Sequence, residues 1–223
     1  MGIVLVFCQS VYMEESDNEI VFSDDDLDDH ETPEYDSHEY WDSVYANKGE
    51  YDWYFGWIKI EEQVKEHLKE SSNALNIGCG DSPMSHDMPE KYFSKVISID
   101  VSPNAIKEMS ERYKDEPRLE WKVMDCSKLD FPDNTFDFIF DKGTFDAISC
   151  GANGDEIIWA SMQEIHRVLK PGGKLIQITY AAPSQRYPAM RKEKLPLIYH
   201  RPIFMGRHGK AHYIYIIEKK VIS

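Results

Sequence analysis

The pattern of apolar runs predicts an α/β fold, a mostly parallel sheet with helices on both faces. Three observations carry the prediction. Short runs rich in β-branched and aromatic residues alternate with amphipathic runs at helical spacing. The first strand-like run ends in a glycine turn, Gly78-Cys79-Gly80. The second ends in an acid, Asp100, 22 residues beyond Gly78. In parallel sheets of this kind a ligand lies beyond the carboxyl ends of the strands, where the strand order reverses.

The chain of 223 residues begins with an acidic stretch. From Glu14 to Asp36 there are twelve acids and no Lys or Arg, which leaves the other 200 residues at −3 (28 acids against 25 bases). Residues 1–36 therefore read as a tail too poor in apolar surface to order itself, and residues 37–223 as one near-neutral domain. From His38 the texture turns aromatic: Tyr40, Trp41, Tyr45, Trp53, Tyr54, Phe55 and Trp57 fall within twenty residues. Trp41 and Tyr45 share a face if their segment is helical. Residues 57–69 follow as an amphipathic helix with Ile58, Ile60, Val64 and Leu68 apolar.

Strands and helices then alternate. Residues 74–77 read as a strand, then 96–99, closed by Asp100. Ser102-Pro103 supplies an N-cap and a Pro at the first helical position. Strands follow at 119–124 and 136–140. A helix carries Ile158, Met162, Ile165 and Leu169 and is ended by the Pro171-Gly172-Gly173 turn. Residues 174–179 and 212–217 complete the strands.

Composition excludes several classes. A net charge of −15 argues against a protein that holds nucleic acid by bulk charge, since phosphate neutralisation needs surplus Lys and Arg. No run approaches the roughly 20 apolar residues of a membrane span. Cys8, Cys79, Cys126 and Cys150 are widely spaced, which fits a reduced compartment and gives neither a disulfide framework nor a zinc site. The expected location is the cytoplasm.

The strand tips supply the candidate site. Glycines let a backbone approach a ligand closely, and an acid at the tip of the second strand accepts ribose hydroxyls. A dinucleotide fold would place a third glycine at 83, where this chain has Pro83, so the pyrophosphate reading weakens. The third strand ends in Met124-Asp125-Cys126, an acid placed to meet an adenine amino group, and the fourth in Asp141-Lys142-Gly143-Thr144. Together these favour S-adenosylmethionine over NAD.

Several stretches resemble the class I (seven-β-strand) methyltransferases, most closely the methyltransferase-like proteins that modify lysines of translation elongation factor 1-alpha. They are Glu39-Tyr40-Trp41-Asp42 with Tyr45, Tyr51-Asp52-Trp53, Asn76-Ile77-Gly78-Cys79-Gly80-Asp81-Ser82, Ser98-Ile99-Asp100, Met124-Asp125, Leu129-Asp130-Phe131-Pro132 and Asp141-Lys142-Gly143-Thr144-Phe145-Asp146. The resemblance runs from about His38 to Lys220. It implies a Rossmann-like seven-stranded sheet in a single domain, with residues 38–70 as an N-terminal helical lid. It also implies S-adenosyl-L-methionine as cofactor, no metal, and a protein substrate, elongation factor 1-alpha. For the site it implies Trp41, Tyr45 and Trp53 over the cofactor and Gly78, with Cys79 and Gly80, at its methionine end. Asp100 and Val101 would hold the ribose, Asp125 and Cys126 the adenine, and Lys142 would lie close by. The rings suit a sulfonium through cation–π attraction. Methyl transfer needs no enzyme nucleophile, and no catalytic base is assigned. A small-molecule methyltransferase of the same fold and a non-catalytic adenosine-ligand module remain the alternatives.

Overall fold

The computed structural model describes Tyr35 and residues 37–47, 52–207 and 210–222. The acidic stretch expected as a tail lies outside these residues except for Tyr35, which is 4 % exposed and packs against Tyr40 and Trp41. Tyr51 of the Tyr-Asp-Trp element also lies outside them.

Eight strands are described: β1 (Ser72–Ile77), β2 (Phe93–Asp100), β3 (Leu119–Val123), β4 (Phe136–Lys142), β5 (Leu169–Thr179), β6 (Leu197–Tyr199), β7 (Ile203–Arg207) and β8 (Lys210–Lys219). Strands β3-β2-β1-β4-β5 are parallel, and β8 joins β5 antiparallel. The fold class is as the sequence predicts, with one strand more than the seven implied. The far edge of β8 is shared end to end, β7 pairing with Lys210–Ile214 and β6 with Ile217–Lys219.

The helices are α1 (His38–Asn47), α2 (Trp57–Val64), α3 (Met84–Asp87), α4 (Pro103–Arg112), α5 (Thr144–Ile148), α6 (Gly154–Val168) and α7 (Pro183–Met190). They pack on both faces because strand side chains alternate. On β4, Phe138 and Phe140 enter a cluster with Trp57, Ile60, Val64 and Phe93, while Ile139 joins Leu75, Met162 and Ile165 on the opposite face.

Several elements depart from expectation. The segment after residue 179, expected as a loop rich in Pro and basic residues, carries α7, β6 and β7. The helix read as 57–69 stops at Val64 and tightens into a 3-10 turn over Lys65–His67. Its core stripe is Trp57, Ile60 and Val64, and Ile58 is 76 % exposed. Pro171-Gly172-Gly173 does not form a turn between helix and strand. α6 ends at Val168, and β5 runs through the triplet as a bulge, with Leu169 pairing Phe136 and Lys174 pairing Phe138. Gly172 (φ +78°) absorbs the kink. Ser102 caps α4 as expected, accepting from Ala105 N at 3.1 Å.

Strand order reverses between β1 and β4, whose carboxyl ends both open on one cleft.

Candidate active site

A cavity of about 530 Å³ lies beyond the tips of β1, β2 and β4, within the usual range for small-molecule sites. All eleven residues singled out from the sequence line it: Trp41, Tyr45, Trp53, Gly78, Cys79, Gly80, Asp100, Val101, Asp125, Cys126 and Lys142.

The glycine turn forms its floor. Gly78 (φ +57°) and Gly80 (φ +50°) hold left-handed conformations that disfavour a side chain. Space is closed as well. A Cβ at Gly78 would lie 2.0 Å from Thr144 Oγ1, and one at Gly80 2.4 Å from Tyr45 Oη. The turn is tied to β2, because Cys79 N donates to Ile99 O at 3.0 Å and Gly80 N to Asp100 Oδ2 at 2.9 Å. Asp100 Oδ1 accepts from Ser102 N at 2.9 Å. The backbone N–H of Val101 acts on this buried carboxylate as well, so three backbone groups hold it in place. Burial pushes the Asp100 carboxyl above its ordinary range, against the pull of those N–H groups.

At the other end Asp125 Oδ1 accepts from Ser127 N at 2.8 Å, and Cys126 Sγ lies 3.3 Å from Ser161 Oγ. Burial pushes the Cys126 thiol up to about 12 and the Cys79 thiol well above its ordinary value, so neither is a nucleophile at neutral pH. Both are free.

The roof is aromatic. Trp41 stacks on Tyr45 at 5.9 Å and meets Trp53 edge-on at 6.2 Å, and Trp41 Nε1 donates to Tyr35 O at 2.7 Å. None of these three rings belongs to the two core clusters. Two carboxylates fasten the roof. Asp42 accepts from Ser102 Oγ (2.6 Å) and from Asn104 N (3.0 Å), which pins α1 to the N-terminus of α4, where the helix dipole favours a negative charge. Those bonds hold the Asp42 carboxyl below its ordinary range, with the Ser102 hydroxyl the largest cause. Asp52 Oδ1 accepts from Ser82 Oγ at 2.6 Å and pairs with Lys142 Nζ, which also donates to Trp53 O at 3.0 Å. Lys142 thus reaches the cavity already engaged.

The last wall is a buried polar cluster. Asp146 Oδ2 accepts from Tyr54 Oη at 2.8 Å. Asp146 Oδ1 accepts from Thr179 Oγ1 at 2.5 Å and pairs with Arg186. Tyr54 (φ +64°) is a bulky residue in a strained conformation, its ring 3.3 Å from where a Cβ of Gly143 would stand. Asp141 does not line the cavity. Its oxygens accept from Thr144 N (2.9 Å) and Gln177 Nε2 (2.7 Å), shaping the turn after β4.

Of the two acids that could meet a substrate lysine from the segment after β4, Asp141 and Asp146, only Asp146 lines the cavity; sequence reasoning missed Tyr35 and Tyr54 in the wall and Asp42 and Asp52 as fasteners. The last two lay inside the quoted aromatic stretches, where a carboxylate between rings was the available signal. Tyr35 was hidden in the acidic run, and nothing local marks a tyrosine for positive φ.

Comparison with known proteins is consistent with this geometry. A methyltransferase-domain model matches residues 75–177. EEF1A lysine methyltransferase 4 of Mus musculus is 33 % identical over 159 residues, covering 66 % of this chain and 62 % of that protein. The eEF1A lysine and N-terminal methyltransferase of Mus musculus is 31 % identical over 155 residues, covering 66 % of this chain and 22 % of that one. The chain thus spans about three fifths of one relative and about a fifth of the other. Among solved structures, a SAM-dependent methyltransferase of Methanosarcina mazei superposes with a TM-score of 0.58 at 17 % identity, covering 72 % of this chain and 98 % of that one. The N-methyltransferase NodS of Bradyrhizobium japonicum, in complex with S-adenosyl-L-homocysteine, gives 0.54 at 16 %, covering 73 % and 86 %. The [4+2]-cyclase SpnF gives 0.55 at 16 %, covering 74 % and 82 %, so the fold alone does not select one chemistry.

Proposed function

Because the chain carries a class I, S-adenosylmethionine-dependent methyltransferase domain resembling the eEF1A lysine methyltransferases, we propose that the protein is a protein-lysine N-methyltransferase whose substrate is translation elongation factor 1-alpha. The observation that carries this reading is the enclosure itself. A buried acid at the tip of β2 faces a glycine turn with no room for a side chain, under a roof of three aromatic rings held outside the core.

These residues fit the cofactor. Asp100 lines the cavity as a carboxylate acceptor for the ribose hydroxyls, and the Gly78-Cys79-Gly80 turn borders the methionine end. Asp125 and Cys126 border the adenine end, and the faces of Trp41, Tyr45 and Trp53 suit a cation. When bound, S-adenosylmethionine supplies an electrophilic methyl group on sulfur. The chain's own part is positioning, which in such displacements supplies much of the rate.

A lysine amine must arrive neutral, and with an ordinary pKa of about 10.4 only about 0.04 % is neutral at pH 7. Asp146 stands in the polar wall, with Asp81, Asp100, Asp125 and Glu156 elsewhere in the lining, and Arg186, Thr179 and Tyr54 already satisfy it. It is therefore a poor anchor for an ammonium. Apolar rings and a satisfied acid favour the neutral amine. Both support proton loss to solvent on entry, with no base on the protein.

The test is direct. Purified protein, cofactor and elongation factor 1-alpha are incubated, and added mass is mapped by peptide mass spectrometry. A methylated lysine absent from an Asp100→Ala control is expected. Label recovered only in small molecules would overturn the substrate and leave the domain assignment standing.

A further inference from the structure

We propose that Asp52 is a positioning residue that offsets the buried charge of Lys142, so that the cavity accepts a cationic sulfonium and not only its neutral thioether product. The inference rests on the methyltransferase reading above.

Lys142 lies at the tip of β4 with its side chain 4 % exposed, and it lines the same cavity as the aromatic roof. A buried ammonium is costly unless paired, and here the pairing carboxylate comes from the roof segment. Asp52 also accepts from Ser82 Oγ at 2.6 Å, and Lys142 also donates to Trp53 O at 3.0 Å. The pair is therefore fixed from three elements, the roof segment, the loop after β1 and the tip of β4. Burial pulls the Lys142 ammonium below its ordinary range, and Asp52 is the principal opposing influence, with Asp81 and Asp87 weaker. Without Asp52, a positive charge left only to the weaker Asp81 and Asp87 would share the cavity with a second one, in surroundings that screen poorly. The reacted cofactor has lost its methyl group and its charge, so it would not feel that repulsion.

The test measures affinities, not turnover. Full-length protein is titrated calorimetrically with S-adenosylmethionine and with S-adenosylhomocysteine, as wild type, Asp52→Asn, Lys142→Met and the double variant. Asp52→Asn keeps an oxygen for Ser82 and Lys142 but removes the charge. It should weaken the sulfonium ligand at least about tenfold more than the thioether. Lys142→Met should move the ratio the other way, in favour of the sulfonium, and the double variant should return it to within about threefold of wild type. Equal weakening of both ligands by Asp52→Asn would make Asp52 a mechanical fastener and overturn the inference. If Asp52→Asn does not fold, Lys142→Met and the double variant decide, since equal ratios in those two overturn it as well. A wild-type chain that binds neither ligand would overturn the methyltransferase reading and this inference with it. Binding of both with an unmoved ratio overturns the inference alone.

Discussion

Asp141 accepts from Thr144 N and Phe145 N in the turn after β4 and from Gln177 Nε2 on β5, and burial pushes its carboxyl up to about 6. In the unfolded chain the same group titrates near 3.9. Between these values the native state binds the extra proton, so this group's contribution makes stability fall as pH rises from about 4 to about 6. Asp141→Asn should remove that dependence. Gln177 Oε1 has no partner among the described residues, and turning the Gln177 amide would let it accept from the new Asn. Urea melts at pH 4 and pH 7 should show the variant gaining roughly 2–4 kcal/mol on wild type between the two. Gly78→Ala is expected to do the reverse. Its Cβ meets Thr144 at 2.0 Å in a left-handed conformation, so cofactor binding should disappear in calorimetry while the rest of the sheet stays folded. For Asp100→Ala, which removes an acceptor pair and two turn contacts together, the expected loss of cofactor affinity is at least about tenfold, and unchanged affinity would remove Asp100 from the site.

Two tryptophans four residues apart belong to different elements and should respond differently. Trp57 opens α2 and packs edge-on against Phe93 and Phe140 at 5.6 and 5.7 Å, whereas Trp53 meets Trp41 of the roof and Tyr54 of the wall. Trp57→Ala should cost about 3–5 kcal/mol of stability, the usual range for a buried aromatic. Trp53→Ala should cost much less stability and at least about tenfold in cofactor affinity. A denaturant melt and a titration on each variant check the contrast. Equal destabilisation would return Trp53 to the core. Asp42 offers a milder perturbation, because its bonds to Ser102 and Asn104 fasten α1 from outside the cavity. Asp42→Ala should weaken cofactor binding several-fold without altering the cavity wall.

At the scale of the whole molecule, the roof comes from the N-terminal segment and the floor from three strand tips, so ligand binding should stabilise both together. Saturation at about a hundred times Kd adds about 2.7 kcal/mol. For a chain of this size that raises Tm by roughly 5–10 °C in one transition. A thermal melt with and without S-adenosylmethionine checks it, and two transitions, only one of them shifted, would show that the roof is not coupled to the sheet. Among the described residues no helix is long and apolar enough to cross a membrane.

Sequence by itself determined the fold class, six of the eight described strands in their order along the chain, and the glycine turn with its acid. These follow from periodicity, turn chemistry and spacing, which act over a few residues. The ends of the elements were less legible. Helix α2 stops five residues early in a 3-10 turn, and Pro171-Gly172-Gly173 is a bulge because β5 pairs with β4 on both sides of it. What only the tertiary structure decided is which groups share the cavity and which are already spent. Asp141 and Asp146 are five residues apart and look alike in sequence, yet one shapes a turn and the other is satisfied in the wall by Arg186, Thr179 and Tyr54. Lys142 looks like a lone cation until Asp52, ninety residues earlier, is brought against it. Hydrogen bonding and charge compensation depend on distance in space, and only the folded chain fixes those distances.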